Sequence, residues 1–231
     1  MDTEWLVIGG IVVVVLAIVF AVQNVRARKR TQALVAVAND LKFEFVGNKW
    51  ADAAQAQSLK TALFRKGYAR NFRNIMTGGS ADLGVRLFDY SFVSGSGRES
   101  KNIQQTVAVF VKGDLALPDF ELSPSGILQK IGGALLKNDI RFEAHPQFSQ
   151  RYQVRGADEA AIRALFTPPM LAYFESIDPA RKWHVEGVDQ TVVLYRANKR
   201  EDPTTLRVFL DDTGTVAGSL IGIVRADNAV R

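Results

Sequence analysis

From Trp5 to Val22 the chain reads WLVIGGIVVVVLAIVFAV, 18 residues without a charged or strongly polar side chain. As a helix rising about 1.5 Å per residue, this run covers about 27 Å, close to the hydrocarbon thickness of a bilayer. It carries 14 large apolar side chains. Leaving them in water would cost on the order of 30 kcal/mol, at about 2 kcal/mol each. The run is therefore read as a membrane span built on Trp5, Leu6, Val7, Ile8, Ile11, Leu16, Phe20 and Val22, with Trp5 as an interfacial anchor. A cleaved signal peptide fits poorly, because the MDTE leader is acidic, the apolar run is too long and no A-x-A-like site follows.

Charge sets the expected orientation. Arg26, Arg28, Lys29 and Arg30 follow the span directly, and no Lys or Arg precedes it. The positive-inside rule keeps this basic flank in the cytoplasm, which leaves the amino terminus outside and everything after residue 30 at the inner face of the membrane. Beyond residue 30, 25 basic residues face 22 acidic ones, a net charge of +3. That balance is too mild for a nucleic-acid channel, so no nucleic acid is expected as a partner. No acid occurs between Asp52 and Asp82, where Lys60, Arg65, Lys66, Arg70 and Arg73 appear. This stretch is a candidate lipid-facing basic patch, weighed against an ordinary solvated face.

The remainder, 47% hydrophobic over the whole chain, has enough apolar material for a packed core. The absence of cysteine excludes a disulfide scaffold and any thiolate site. Thr31 to Leu41 carries apolar residues at helical spacing, followed by a strand over Lys42 to Val46, and Ala51 to Arg65 is Ala-rich and helix-prone. Arg86 to Val93 alternates, with Phe88, Tyr90 and Phe92 on one face, and pairs with Thr106 to Val111 as an antiparallel hairpin. Ser123-Pro124 reads as the opening of a helix with Ile127, Leu128, Ile131, Leu135 and Leu136 on one side. Ser149 to Arg155 alternates as a strand, and Asp158 and Thr167-Pro168 start two helices. Lys182 to Val188 with Gln190 to Ala197 forms another hairpin, and Asp202-Pro203 opens a final helix. The expected fold is α+β: a transmembrane anchor over 1–30, then antiparallel hairpins with packed helices, divided into lobes over 31–122 and 123–231.

The segments RNIMTGG, LFDYSFVSGSGRE, QQTVAVFV, LPDFELSP, NDIRFEAHPQFSQRYQVRGADEAAIRALFTPPMLAYFE and VEGVDQTVVLYR together resemble a family of uncharacterised bacterial single-pass membrane-anchored proteins. The resemblance runs over about residues 60–221. It implies a membrane location and an α+β fold, and it brings no substrate, cofactor or catalytic residue.

Few residues qualify for chemistry. His145 and His184 are the only histidines. If 139–145 is a strand, Asp139, Arg141, Glu143 and His145 share one face, and the three potential ligands among them suggest a membrane-tethered metal-dependent hydrolase. Arg141 would neutralise such a site, and Pro146 ends the segment. His184 reads as structural, and Asp89, set between Phe88 and Tyr90, needs a partner such as an Arg or a backbone amide if it is buried, and is ordinary surface if it is exposed. SGSGRES, with Arg98 and nearby Lys101, lacks the strand-to-helix context of a phosphate loop. The leading expectation is a non-enzymatic binding or scaffolding module at the inner membrane face, without a cofactor, meeting the bilayer and a protein partner. The metal-dependent hydrolase is the alternative.

Overall fold

The computed structural model describes residues 3–48, 60–125 and 139–228. The helix expected over 127–136 and most of the one expected over Ala51 to Arg65 lie outside the described residues, as do the side chains of Trp5, Leu6 and Val7. Helix α1, Thr3–Leu41, is one uninterrupted element of 39 residues. The apolar run and the helix expected after it are therefore continuous. Ile11, Leu16 and Phe20 are more than half exposed, whereas Leu34 and Ala38 are buried in the domain core. The helix is long and apolar enough to cross a membrane, and among the described residues none of its apolar window is buried.

Helix α1 ends in a left-handed residue without a glycine. Lys42 has φ of 58°, its N–H donates to the Asn39 carbonyl at 3.0 Å, and the Phe43 N–H donates to the Ala38 carbonyl at 2.8 Å. This paired closure satisfies carbonyls that a helix end otherwise leaves open and turns the chain back toward the sheet.

Nine strands follow among the described residues: β1 (Glu44–Gly47), β2 (Tyr68–Gly79), β3 (Leu83–Ser94), β4 (Lys101–Lys112), β5 (Leu117–Pro124), β6 (Asp139–Ile140), β7 (Tyr152–Gly156), β8 (Trp183–Asp189) and β9 (Thr191–Arg196). They form one sheet in the order β1-β2-β3-β4-β9-β8-β5-β7-β6, with antiparallel pairing throughout. Helices α2 (Pro146–Arg151), α3 (Glu159–Leu165), α4 (Pro168–Ser176) and α5 (Leu206–Asn228) complete the domain. The expected α+β class with both hairpins is present.

Both faces of the sheet are covered. On one, Leu34 and Ala38 of α1 join the buried faces of α3, α4 and α5 over Leu87, Ala108, Val185 and Leu194. On the other, Leu63 and Phe64 from the short 3-10 helix Ala62–Arg65 cover Phe88, Tyr90, Val107 and Tyr195. There Phe64 meets Tyr90 edge-on at 5.2 Å between ring centroids, a favoured aromatic geometry. Strand β3 serves both layers because successive side chains alternate across it.

Three local expectations are corrected. Ser123 and Pro124 close strand β5 and do not open a helix; Pro124 lies opposite Tyr152 at the strand end, where its missing N–H costs little. The strand expected over Ser149 to Arg155 begins only at Tyr152, because Pro146 starts α2 and Glu175 accepts the Phe148 N–H at 3.0 Å. The strand expected over 139–145 stops at Ile140, since Phe142 turns into the core against Phe148 and Phe166.

One buried ion pair joins α1 to the sheet. Arg30 grips Asp89 of β3 with two parallel bonds, Nε to Oδ2 at 2.8 Å and Nη2 to Oδ1 at 2.7 Å. Asn74 Nδ2 donates to Asp89 Oδ2 at 2.8 Å, and Thr106 Oγ1 donates to Oδ1 at 3.2 Å. The carboxylate thus accepts four hydrogen bonds. Arg30 uses its third nitrogen on the Glu201 carbonyl at 2.7 Å. Both side chains are nearly closed off, 13% and 10% exposed. Removing one partner from such a pair leaves a buried charge uncompensated, which costs about 3–5 kcal/mol. Asp89→Ala or Arg30→Ala in the full-length chain is therefore expected to lower stability by about that amount, with the double variant losing less than the sum. Denaturant unfolding in detergent micelles measures this, and strictly additive losses would contradict the coupling.

Candidate functional site

An open concavity lies between α1 and the sheet, just beyond the apolar run. It is a cleft of about 790 Å³, within the size range of small-molecule sites. Its helical wall is the face bearing Asn24, Ala27, Arg28 and Thr31. That spacing places the four residues on one side of a helix, continuous with the side that carries Leu34 and Ala38 into the core. The same helix face is thus packed at one end and open at the other.

The floor comes from β2, β3 and β4. Asn71, Ser91 and Gln104 lie side by side across the three strands, as do Arg73, Asp89 and Thr106. A bulge in β2 shapes this floor. Pairing of β2 with β3 shifts between Arg73 and Met76, and Asn74 in the bulge has φ of 52°, a left-handed conformation that Asn tolerates. The bulge brings Asn74 under α1, where Thr31 Oγ1 donates to its Oδ1 at 2.7 Å and its own amide donates to Asp89.

The cleft is cationic. Arg28, Arg73 and Arg200 line it, and among the described residues Asp89 is the one carboxylate in its lining. Arg30 already compensates that carboxylate.

The fold is similar to that of a solved mycobacterial protein. Superposition on the crystal structure of the mycobacterial trehalose monomycolate transport factor A, TtfA, gives a TM-score of 0.59 with 9% sequence identity, covering 86% of this chain and 96% of TtfA. At that identity the likeness concerns the fold alone. No protein-family model matches the chain, and a search of curated proteins returns no match.

The structure separates the residues that charge had grouped. In the basic flank, Arg26, Arg28 and Lys29 are exposed on α1, whereas Arg30 points into the domain. Of the basic stretch, Lys60 pairs with Asp189 at 3.0 Å on the surface. Lys66 pairs with Glu121 at 2.8 Å. Both belong to the segment on the sheet face opposite α1. Arg65 is exposed there, and Arg70 folds onto the carbonyls of Arg65, Lys66 and Gly67. Only Arg73 reaches the cleft. Its companion Arg200 carries no local sequence signal, while Asn24, Ala27, Arg28 and Thr31 are recognisable from their helical spacing.

The expected metal ligands do not form a shared face. Asp139 is held by Arg155 at 2.5 Å and by Gln153 at 3.1 Å. His145 stands at the position before α2 without a side-chain capping bond and meets Glu175 at 3.2 Å, and Glu143 is exposed in a turn. Among the described residues, no three His, Asp or Glu side chains converge as metal ligands.

A second polar group is sealed inside the opposite layer. Glu186 of β8 is 1% exposed. It accepts the Leu63 N–H at 2.8 Å and the Tyr195 hydroxyl at 2.9 Å, with Lys66 at 3.7 Å. Burial raises its carboxyl above the usual range, against the pull of Lys66 and the two donors. His184 stacks flat on Tyr195, with ring centroids 4.8 Å apart, and neither ring nitrogen has a hydrogen-bond partner among the described residues. Burial, with Lys66 adding to it, pushes His184 down to about 3. Its imidazole is therefore neutral at physiological pH and fills space as an aromatic ring would. Gly187, next to Glu186, admits the Phe120 ring, which a β-carbon would meet at 2.2 Å.

Because the folded His184 refuses a proton that the unfolded chain accepts below about pH 6.5, its contribution to stability falls as pH drops from there toward about pH 3. Glu186, raised on folding, acts in the opposite sense. His184→Phe isolates the first effect. The variant should be at least as stable as the parent near pH 7 and increasingly more stable than it as pH is lowered toward about 4. Thermal unfolding of both proteins across that range tests this; parallel curves would contradict it.

Proposed function

We propose that the chain is a single-pass protein of a bacterial cytoplasmic membrane, with its amino terminus outside and its α+β domain held in the cytoplasm as a non-enzymatic binding or scaffolding module. The observation that carries this reading is the continuity of α1. One helix has an exposed apolar first half, 0% buried in its apolar window, and a second half locked into the domain by Leu34, Ala38 and the Arg30–Asp89 pair. A helix of that kind does more than tether. It fixes the domain's orientation against the bilayer, with the cleft opening at the surface.

The exposed Arg26, Arg28 and Lys29 support the inward orientation through the positive-inside rule. The fold likeness to a transport factor for trehalose monomycolate supports a role as an accessory factor beside a transport complex, whose protein partner the domain would meet at the membrane. The same arrangement suits contact with anionic lipid.

The chain has no cysteine, which gives a clean labelling test of orientation. Thr3→Cys is expected to react with a membrane-impermeant maleimide added to intact cells. Ser96→Cys, on the hairpin between β3 and β4, is expected to react only after the membrane is opened. Labelling of Ser96→Cys in intact cells, or recovery of the full-length chain in the soluble fraction, would overturn the reading.

A further inference from the structure

We propose that the cleft between α1 and strands β2–β4 binds an anionic phosphate group, supplied by a lipid headgroup of the membrane in which α1 is anchored. This deepens the membrane-anchored reading and rests on it for the source of the ligand.

The charge distribution identifies the ligand class. Arg28 comes from α1, Arg73 from β2 and Arg200 from the connection between β9 and α5, yet all three line one cleft. Three exposed arginines that line one concavity concentrate positive charge there, which an anion would neutralise. None of the three has a carboxylate partner among the described residues. Asp89 cannot serve, because Arg30 and the Asn74 and Thr106 donors occupy both its oxygens. Guanidinium groups match phosphate oxygens in pairs of parallel N–H bonds. The amides of Asn71, Asn102 and Gln104 in the lining add neutral donors and acceptors suited to the hydroxyls of a glycerol headgroup.

Position identifies the source. Asn24 and Arg28 lie two and six residues after Val22, the last of the apolar run. On a helix that is about 3 Å and about 9 Å beyond the hydrocarbon, around the depth of the headgroup layer. A lipid headgroup can therefore enter the cleft while its acyl chains remain in the bilayer beside α1. The Arg30–Asp89 pair holds the helical wall against the floor, so the backbones that carry Arg28 and Arg73 are set at the cleft before the ligand arrives, which lowers the ordering cost of binding.

The test uses full-length protein in detergent, analysed by native mass spectrometry with added phosphatidylglycerol or phosphatidylcholine. The parent should retain phosphatidylglycerol in preference to phosphatidylcholine, which bears a phosphate but no net charge. The double variant Arg73→Gln/Arg200→Gln should lose phosphatidylglycerol affinity on the order of twenty-fold, as expected for removing two charges that each face the headgroup. Arg26→Gln/Lys29→Gln removes the same charge from exposed positions outside the cleft and should lose far less. Equal retention by parent and cleft variant, or an equal loss in the flank variant, would overturn the site. Glycerol 3-phosphate as competitor separates the sources. Failure to displace the lipid at equal concentration supports the headgroup, and full displacement overturns that assignment in favour of a soluble phosphate ester. Arg73 and Arg200 are exposed, so unchanged unfolding temperatures should accompany the loss of binding. Membrane fractionation keeps the two readings apart: a variant that stays with the membrane but loses lipid supports the site, whereas a parent chain absent from the membrane overturns the anchoring.

Discussion

The arrangement of this protein depends on one buried contact, the two-pronged grip of Arg30 on Asp89. The apolar first half of α1 is not buried in the domain and gains nothing there from packing on it, so the angle of the helix to the sheet must be fixed by its second half. Leu34 and Ala38 supply non-directional burial. Arg30 supplies direction, because a planar guanidinium bonded to both carboxylate oxygens tolerates little rotation. The cost of desolvating the pair is offset by the Asn74 and Thr106 donors and by the Glu201 carbonyl. Register, helix angle and the mouth of the cleft follow from this contact.

The sheet then separates two environments. Its α1 face is apolar toward β5 and β8 but opens into cationic surface beside the residues that follow the apolar run. The opposite face is an aromatic layer holding the sealed group of Glu186, Tyr195 and His184. Strand β3 supplies both environments, with Asp89 toward the helix and Phe88 and Tyr90 toward the aromatic layer. The curiosity of an aspartate between two aromatics thus has a plain origin in the two-residue period of a strand.

Much of the fold was legible because its signals are local. The hairpins of β3 with β4 and β8 with β9 show their alternation directly. Asp158 accepts the Ala161 N–H to cap α3, and Asp202 accepts the Thr204 N–H before α5. Strand β2 was not legible, and its two register shifts explain why. Each bulge adds a residue and breaks the alternation by which a strand is recognised, so Arg70 and Arg73 read as a charge run. The expected metal face failed for a related reason. Its spacing assumed a strand that the core position of Phe142 and the helix-starting Pro146 bring to an end. The cleft was not foreseen from the sequence, although the helical spacing of Asn24, Ala27, Arg28 and Thr31 is a local signal. It was illegible in Arg200, which nothing near it in sequence distinguishes.

By itself, the sequence determined the long apolar helix, the α+β class and the demand that Asp89, if buried, find a partner. Hydropathy and alternation act over a few neighbouring residues, so a linear reading recovers them. Only the tertiary structure chose Arg30 from four adjacent basic residues, divided the basic stretch between opposite sheet faces, and gathered Arg28, Arg73 and Arg200 in one cleft. Those outcomes depend on which helix face meets the sheet and on strand pairings between distant segments, and the energies that decide them exist only once the chain has packed.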